Sequence, residues 1–144
     1  MSESGVTRFI EAQDCCGSYE TALAEIRNGY KCTHWIWYVF PQIAGLGHSQ
    51  MSHVYGIASL QEARAYLQND TLRHRLYEIS QALLEHSDRS ARDILGGIDA
   101  MKVRSCMTLF DLVAPNDVFH DVLVQFFDGK PCGRTLSMVR REVG

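Results

Sequence analysis

His34-Trp35-Ile36-Trp37-Tyr38-Val39-Phe40 is the one stretch of this chain that argues for β structure. Its aromatic and β-branched content is that of a strand on propensity alone. A single strand has no partner, however, in a chain whose other segments read as helix, and tertiary burial overrides propensity. The segment therefore reads as a buried helix or an extended piece.

Outward from this stretch the periodicity is helical. Val6, Phe9, Ile10 and Gln13 follow the i, i+3, i+4, i+7 rule, as do Tyr19, Ala22, Leu23 and Ile26 between Ser18 and Gly29. Ser59 and Glu62 form an S-x-x-E capping box ahead of a helix to about Gln68. Asp70 is the expected cap of a longer helix with the stripe Leu72, Leu76, Ile79 and Leu83, fading near Ser87. Ser90 with Asp93 suggests a short helix ended by Gly96 and Gly97. Asp99 is placed to cap Ala100 to Val113, and Asn116 a helix closed at Gly129. A last helix is expected from Arg134 to Arg141. The fold class is thus all-α: a compact single-domain helical bundle of about eight to ten short helices around a central helix at 100–113.

A length of 144 residues suits one domain, 1–144, with its core at about 6–141. Hydrophobic residues make up 46% and charged residues 22%, which excludes disorder, collagen and coiled coil. Fourteen Lys and Arg against seventeen Asp and Glu give a net charge of -3 with no basic run, so nucleic-acid backbone binding is not expected. The start, Met1 to Gly5, lacks the basic and apolar parts of a signal, and no apolar run spans a bilayer. Five cysteines (Cys15, Cys16, Cys32, Cys106, Cys132) without a C-x-x-C pair fit a reduced compartment, and a cytoplasmic location is expected. Six histidines without an H-x-x-x-H pair give no metal site, and no motif calls for a cofactor.

Some residues break their local pattern. Projected at about 100° per residue, the 100–113 helix is apolar nearly all round, with Met101 and Leu112 in the apolar arc and only Arg104, Thr108 and Asp111 forming a polar arc. Lys102 and Ser105 project into that apolar arc. Lys102 either snorkels to water or points its ammonium into a cleft with an anionic or carbonyl partner. Arg104 either joins it or pairs with Asp111.

Between Pro41 and Ser49 runs a loop containing Gln42, Gly45 and Gly47, leading to a helix capped by Ser49. Free N–H groups at such a junction suit phosphate or carboxylate, although the spacing matches neither a P-loop nor a dinucleotide fingerprint. Trp35 and Trp37 are either core or a stacking surface for a planar ring. His34 is a candidate acid or base and Lys102 a second catalytic candidate. Gln13 and Tyr55 are further buried-polar candidates. Cys106 falls on the apolar side, a poor place for a nucleophile.

The runs Arg8-Phe9-Ile10-Glu11-Ala12-Gln13, His34 through Ser49, Ile57 through Leu67 and Lys102 through Phe110 resemble the bacterial family of domain of unknown function 1810, sometimes labelled calpastatin. The resemblance covers about residues 7 to 140. It implies a compact all-helical domain in which His34 to Phe40 is helix, and it implies no established activity. Asp14-Cys15-Cys16-Gly17 departs from the family pattern, which has a proline after the aspartate, and the family also carries serine where Cys106 stands. A more distant likeness, in fold style and in aromatic, Gln, Lys and Arg usage, is to the NADAR proteins, which act on N-glycosidic bonds of ribosylated compounds. No catalytic carboxylate is carried over by motif.

Two functions are expected from these features. In the first, a cleft between His34–Ser49 and the Lys102 helix binds a small anionic, nucleotide-like or ADP-ribose-like ligand, with hydrolysis of an N-glycosidic bond as the attached chemistry. Its residues are Gln13, Trp35, Trp37, Gln42, Gly45, Gly47, Ser49, Lys102, Arg104 and Ser105. In the second, the protein is a non-enzymatic interaction or regulatory protein whose motifs are fold determinants.

Overall fold

The computed structural model describes residues 2–143. In chain order the helices are α1 (Ser2–Asp14), α2 (Ser18–Asn28), α3 (Ile36–Val39), α4 (Gln50–Tyr55), α5 (Leu60–Gln68), α6 (Asp70–Leu84), α7 (Ala91–Leu95), α8 (Gly97–Val113), α9 (Val118–Phe127) and α10 (Gly133–Val143), with a 3-10 turn at Cys15–Gly17. The fold is all-α, and the described residues contain no strand beyond an isolated parallel bridge between Ile43 and Ile57. No described helix is long and apolar enough to cross a membrane.

The aromatic stretch is resolved in an unexpected way. Only Ile36–Val39 is helical, a single turn, with Trp35 and Phe40 in non-helical conformations on either side. The expectation of a helix over 34–40 is therefore corrected to one buried turn set in extended chain. Trp35 lies outside the turn in a non-helical conformation and Trp37 within it, and the two have different surroundings.

Helix α8 is the centre, packing against α3, α5, α7, α9 and α10. Val103, Cys106, Met107, Leu109 and Phe110 on it are almost completely buried. A line of rings crosses the core through this helix. Phe9 meets Tyr66 at 5.2 Å, Tyr66 meets Phe110 at 5.2 Å, Phe110 meets Phe119 at 5.8 Å and Phe119 meets Tyr77 at 5.0 Å. Such tilted and edge-on contacts link α1, α5, α8, α9 and α6 by favourable ring geometry as well as burial. The α6 stripe of Leu72, Leu76, Ile79 and Leu83 is buried as its spacing requires.

The helical circumference of α8 differs from its projection. Met101 and Leu112 are 50% and 41% exposed, whereas Thr108, expected on the polar arc, is only 2% exposed. The cause is the Lys130–Cys132 segment, which lies across the Arg104–Thr108 face. Arg104 donates to the carbonyls of Lys130 and Pro131, and Thr108 Oγ1 accepts the Cys132 N–H.

Caps written as serine three residues ahead of their target form as expected. Ser49, Ser59 and Ser90 accept the N–H groups of Ser52, Glu62 and Asp93. The return half of the capping box is shifted by one residue, since Glu62 takes the N–H of Ala58 at 2.8 Å.

Three expected caps move. Asn69, not Asp70, caps α6 through Leu72 N–H at 3.0 Å, and Asp70 pairs with Arg73 instead. Asp117, not Asn116, caps α9, while Asn116 takes a left-handed turn at φ 61°. Gly96 precedes α8, so the central helix begins at Gly97 and Asp99 lies inside its first turn, free to face lysines.

Candidate functional site

Lys102 stands where α8 meets the Trp37 turn and the following loop. Its Nζ lies 5.3 Å from the centre of the Trp37 ring and 3.9 Å from Asp99 Oδ1. The other Asp99 oxygen is taken by Lys31 at 3.0 Å, and Lys31 in turn sits over the Trp35 ring at 4.8 Å. One carboxylate thus serves two ammonium groups and is much closer to Lys31. Lys102 keeps a positive charge with distant compensation and an aromatic face beside it.

The loop that faces Lys102 is held from both ends. Ile57 N–H donates to Gln42 O at 2.9 Å and Ala44 N–H to Ile57 O at 2.8 Å, forming the Ile43–Ile57 bridge. A Cβ on Gly56 would lie 2.8 Å from Ala44 Cα, so only glycine allows the two segments of this clasp to approach. Gly45, at φ 98°, turns the loop against Met138 of α10.

Two recesses open on either side of Lys102 and share Gln42. The inner one is a slot among Trp37, Phe40, Ser52 and Tyr55, with room for about one water. The outer one has a volume of about 200 Å³ and is lined by Gly47, Met101, Ser105, Cys132 and Arg134. Arg134 donates to Leu46 O at 3.2 Å, which ties α10 to the loop rim. The indole N–H of Trp37 is buried without a hydrogen-bond partner among the described residues.

Of the residues singled out by sequence, Trp37, Gln42, Gly47, Lys102 and Ser105 converge on this cleft. The others do not. Gln13 is buried, donating to Tyr38 O at 2.8 Å and to Tyr66 OH at 3.2 Å, and its carbonyl accepts from Arg75. Trp35 is core, 1% exposed, with its N–H on Glu25. Arg104 is occupied by the Lys130 and Pro131 carbonyls and pairs neither with Lys102's cleft nor with Asp111, whose Oδ2 lies 3.9 Å from His120.

Ser49 spends its hydroxyl on its own helix cap, and Gly45 packs on Met138. His34 lines a separate depression with Cys15, Cys16, Tyr38 and Tyr55. Cys106 is enclosed, and burial pushes its thiol well above the ordinary range.

Sequence reading passed over Cys132 and Arg134. Cys132 directly precedes α10, and its carbonyl accepts the first turn's Leu136 N–H at 3.2 Å, which makes it the N-cap. Cysteine after Pro131 and before Gly133-Arg134-Thr135 is the signal that was available, since a side chain at that position faces free backbone N–H groups.

Fold and cleft together define a small all-α domain with one lysine-and-tryptophan cleft framed by a clasped glycine loop. The chain belongs to the DUF1810 family, described as a protein of unknown function, whose model matches residues 3–139. Among solved structures it is similar to the conserved hypothetical protein Rv1873 from Mycobacterium tuberculosis. The two are 39% identical with a TM-score of 0.90, over 94% of this chain and 96% of that one. No functionally curated protein matches the chain.

Proposed function

We propose that the Lys102 cleft binds a small compound carrying an anionic group next to a planar ring, of the sugar-phosphate or nucleotide class. The observation that supports this is the position of Lys102 Nζ, against the Trp37 face and 3.9 Å from a carboxylate already committed to Lys31. An ammonium so placed attracts an anion.

Size narrows the ligand. About 200 Å³ is below the usual range for pockets that enclose drug-sized ligands, roughly 300–1,000 Å³. The recess suits a phosphate with a sugar or part of a ring, and an ADP-ribose would leave most of itself outside. Hydrolysis of an N-glycosidic bond needs an acid or base at the anomeric carbon. His34 lines another depression, and Asp99 is the carboxylate paired with the cleft's lysine.

Thermal denaturation with ribose 5-phosphate, AMP, NAD and ADP-ribose tests the reading. A ligand at 100 times its Kd stabilises by roughly 2.7 kcal/mol. Stabilisation by at least one of these compounds, lost in Lys102→Met while the variant stays folded, is the expected result. No shift with any of them, or a shift that survives Lys102→Met, overturns it.

A further inference from the structure

We propose that Cys132 is an oxidant-sensitive thiol at the wall of the outer recess, converted by small hydroperoxides to a sulfenic acid. Cys132 is half-buried there, neither enclosed like Cys106 nor fully open like Cys15, Cys16 and Cys32. The Ser105 hydroxyl approaches its sulfur at 3.3 Å. The same hydroxyl lies 3.2 Å from Met101 O, and having one proton it donates to one partner at a time. A thiolate claims that proton more strongly than a neutral carbonyl does.

A second observation is independent of the serine. Thr135 is fully buried, and its hydroxyl has no hydrogen-bond partner among the described residues. It faces the Cys132 sulfur from the first turn of α10. A buried hydroxyl without a partner is costly, and an anionic sulfur is the group that would satisfy it. Cys132 is the N-cap of α10, so the first-turn N–H groups of Arg134 and Thr135 lie on the sulfur's side and help lower the thiol's pKa.

Burial raises the thiol's pKa, but the hydroxyls and N–H groups outweigh that and hold it below the ordinary cysteine range. Two cations, Lys102 and Arg134, line the recess that Cys132 borders. Among the described residues no carboxylate lines the recess. The hydrogen bonds, set against burial, favour the thiolate, the form that reacts.

The step balances without a cofactor. The thiolate sulfur attacks the distal oxygen of the hydroperoxide, an S–O bond forms and the O–O bond breaks. The leaving hydroxide or alkoxide takes a proton from solvent. Sulfur is oxidised to sulfenic acid and the peroxide is reduced to water or an alcohol. The added oxygen occupies space in the recess wall, whatever ligand the cleft takes.

The full chain is treated with limiting hydrogen peroxide and dimedone, and adducts are mapped by peptide mass spectrometry. Cys132 is expected to carry the first adduct, ahead of the more exposed Cys15, Cys16 and Cys32. Its alkylation by iodoacetamide is expected to reach half its limiting rate at lower pH in the folded chain than in the urea-unfolded chain. Ser105→Ala and Thr135→Val, checked for native circular dichroism, each shift that midpoint upward.

The native-against-unfolded comparison needs no variant and stands if either substitution fails to fold. Adducts distributed by exposure with Cys132 trailing, or coincident folded and unfolded pH profiles, overturn the proposal.

Discussion

The indole N–H of Trp35 donates to Glu25 Oε1 at 2.9 Å, so the largest buried side chain of the core is oriented by a buried carboxylate. Glu25 also accepts the N–H groups of Cys32 at 2.8 Å and Thr33 at 3.0 Å and the Thr33 hydroxyl at 2.6 Å. This carboxylate fastens the C-terminal part of α2 to the extended chain that leads into α3. Trp37, two residues on, is thereby free to turn toward Lys102 while Trp35 stays in the core.

Glu25 gives the first prediction. Burial alone would raise its pKa, but the Thr33 hydroxyl, the two N–H groups and the indole outweigh burial and hold it at about 2, below the ordinary value of 4.5. A depressed folded-state pKa means stability that is present above about pH 4.5 and lost as pH falls toward about 2. Glu25→Gln is expected to cost about 2–3 kcal/mol near neutrality, because an amide has one acceptor oxygen and adds donors facing donors. Urea denaturation across pH 2 to 6 is expected to show a smaller acid loss in the variant than in the parent. Equal acid slopes would remove Glu25 as the source.

Arg8 and Glu62 form the second prediction. Arg8 donates to both Glu62 oxygens at 3.2 Å, to Val54 O at 2.9 Å and to Gly56 O at 2.8 Å, and it also bonds Gly5 O. The guanidinium therefore joins α1 to α5 and to the end of α4, beside the Gly56 clasp. Lysine carries the charge but not the planar fork, so Arg8→Lys is expected to lose about 1–2 kcal/mol. In a double-mutant cycle with Glu62→Gln the two losses should not add, and additive losses would show that the fork is not acting as a unit.

Legibility in the sequence followed how local each determinant is. The serine caps and the α6 stripe depend on residues three or four apart, and they were readable. Asn69 against Asp70 and Asn116 against Asp117 were not, because neighbouring residues have equal capping chemistry and backbone conformation selects between them. Lys102 was visible as a lysine projecting into an apolar arc, and its cleft partners Trp37 and Gln42 as members of one run. The burial of Thr108 was invisible, since it comes from a segment more than twenty residues downstream folding across α8. The approach of Ser105 to Cys132 was hidden for the same reason, since it exists only once α10 docks on α8.

The last prediction separates Arg104 from the cleft it was expected to serve. Its Nε and one terminal nitrogen each lie 2.9 Å from a carbonyl, of Lys130 and Pro131 respectively, and Thr108 one turn later holds the Cys132 N–H at 2.8 Å. These bonds run from the central helix to the segment that delivers α10, so Arg104 acts as a clamp on that segment. Arg104→Ala is expected to lower stability by about 1–2 kcal/mol and to speed hydrogen exchange at the Cys132 amide. Arg104→Lys recovers only part of the loss, because one ammonium does not match two carbonyls with a planar fork. Any ligand stabilisation that depends on Lys102 should persist in both variants once measured against their own unliganded stability. An Arg104→Ala protein of unchanged stability that loses that ligand effect would instead make Arg104 a binding residue and end the clamp assignment.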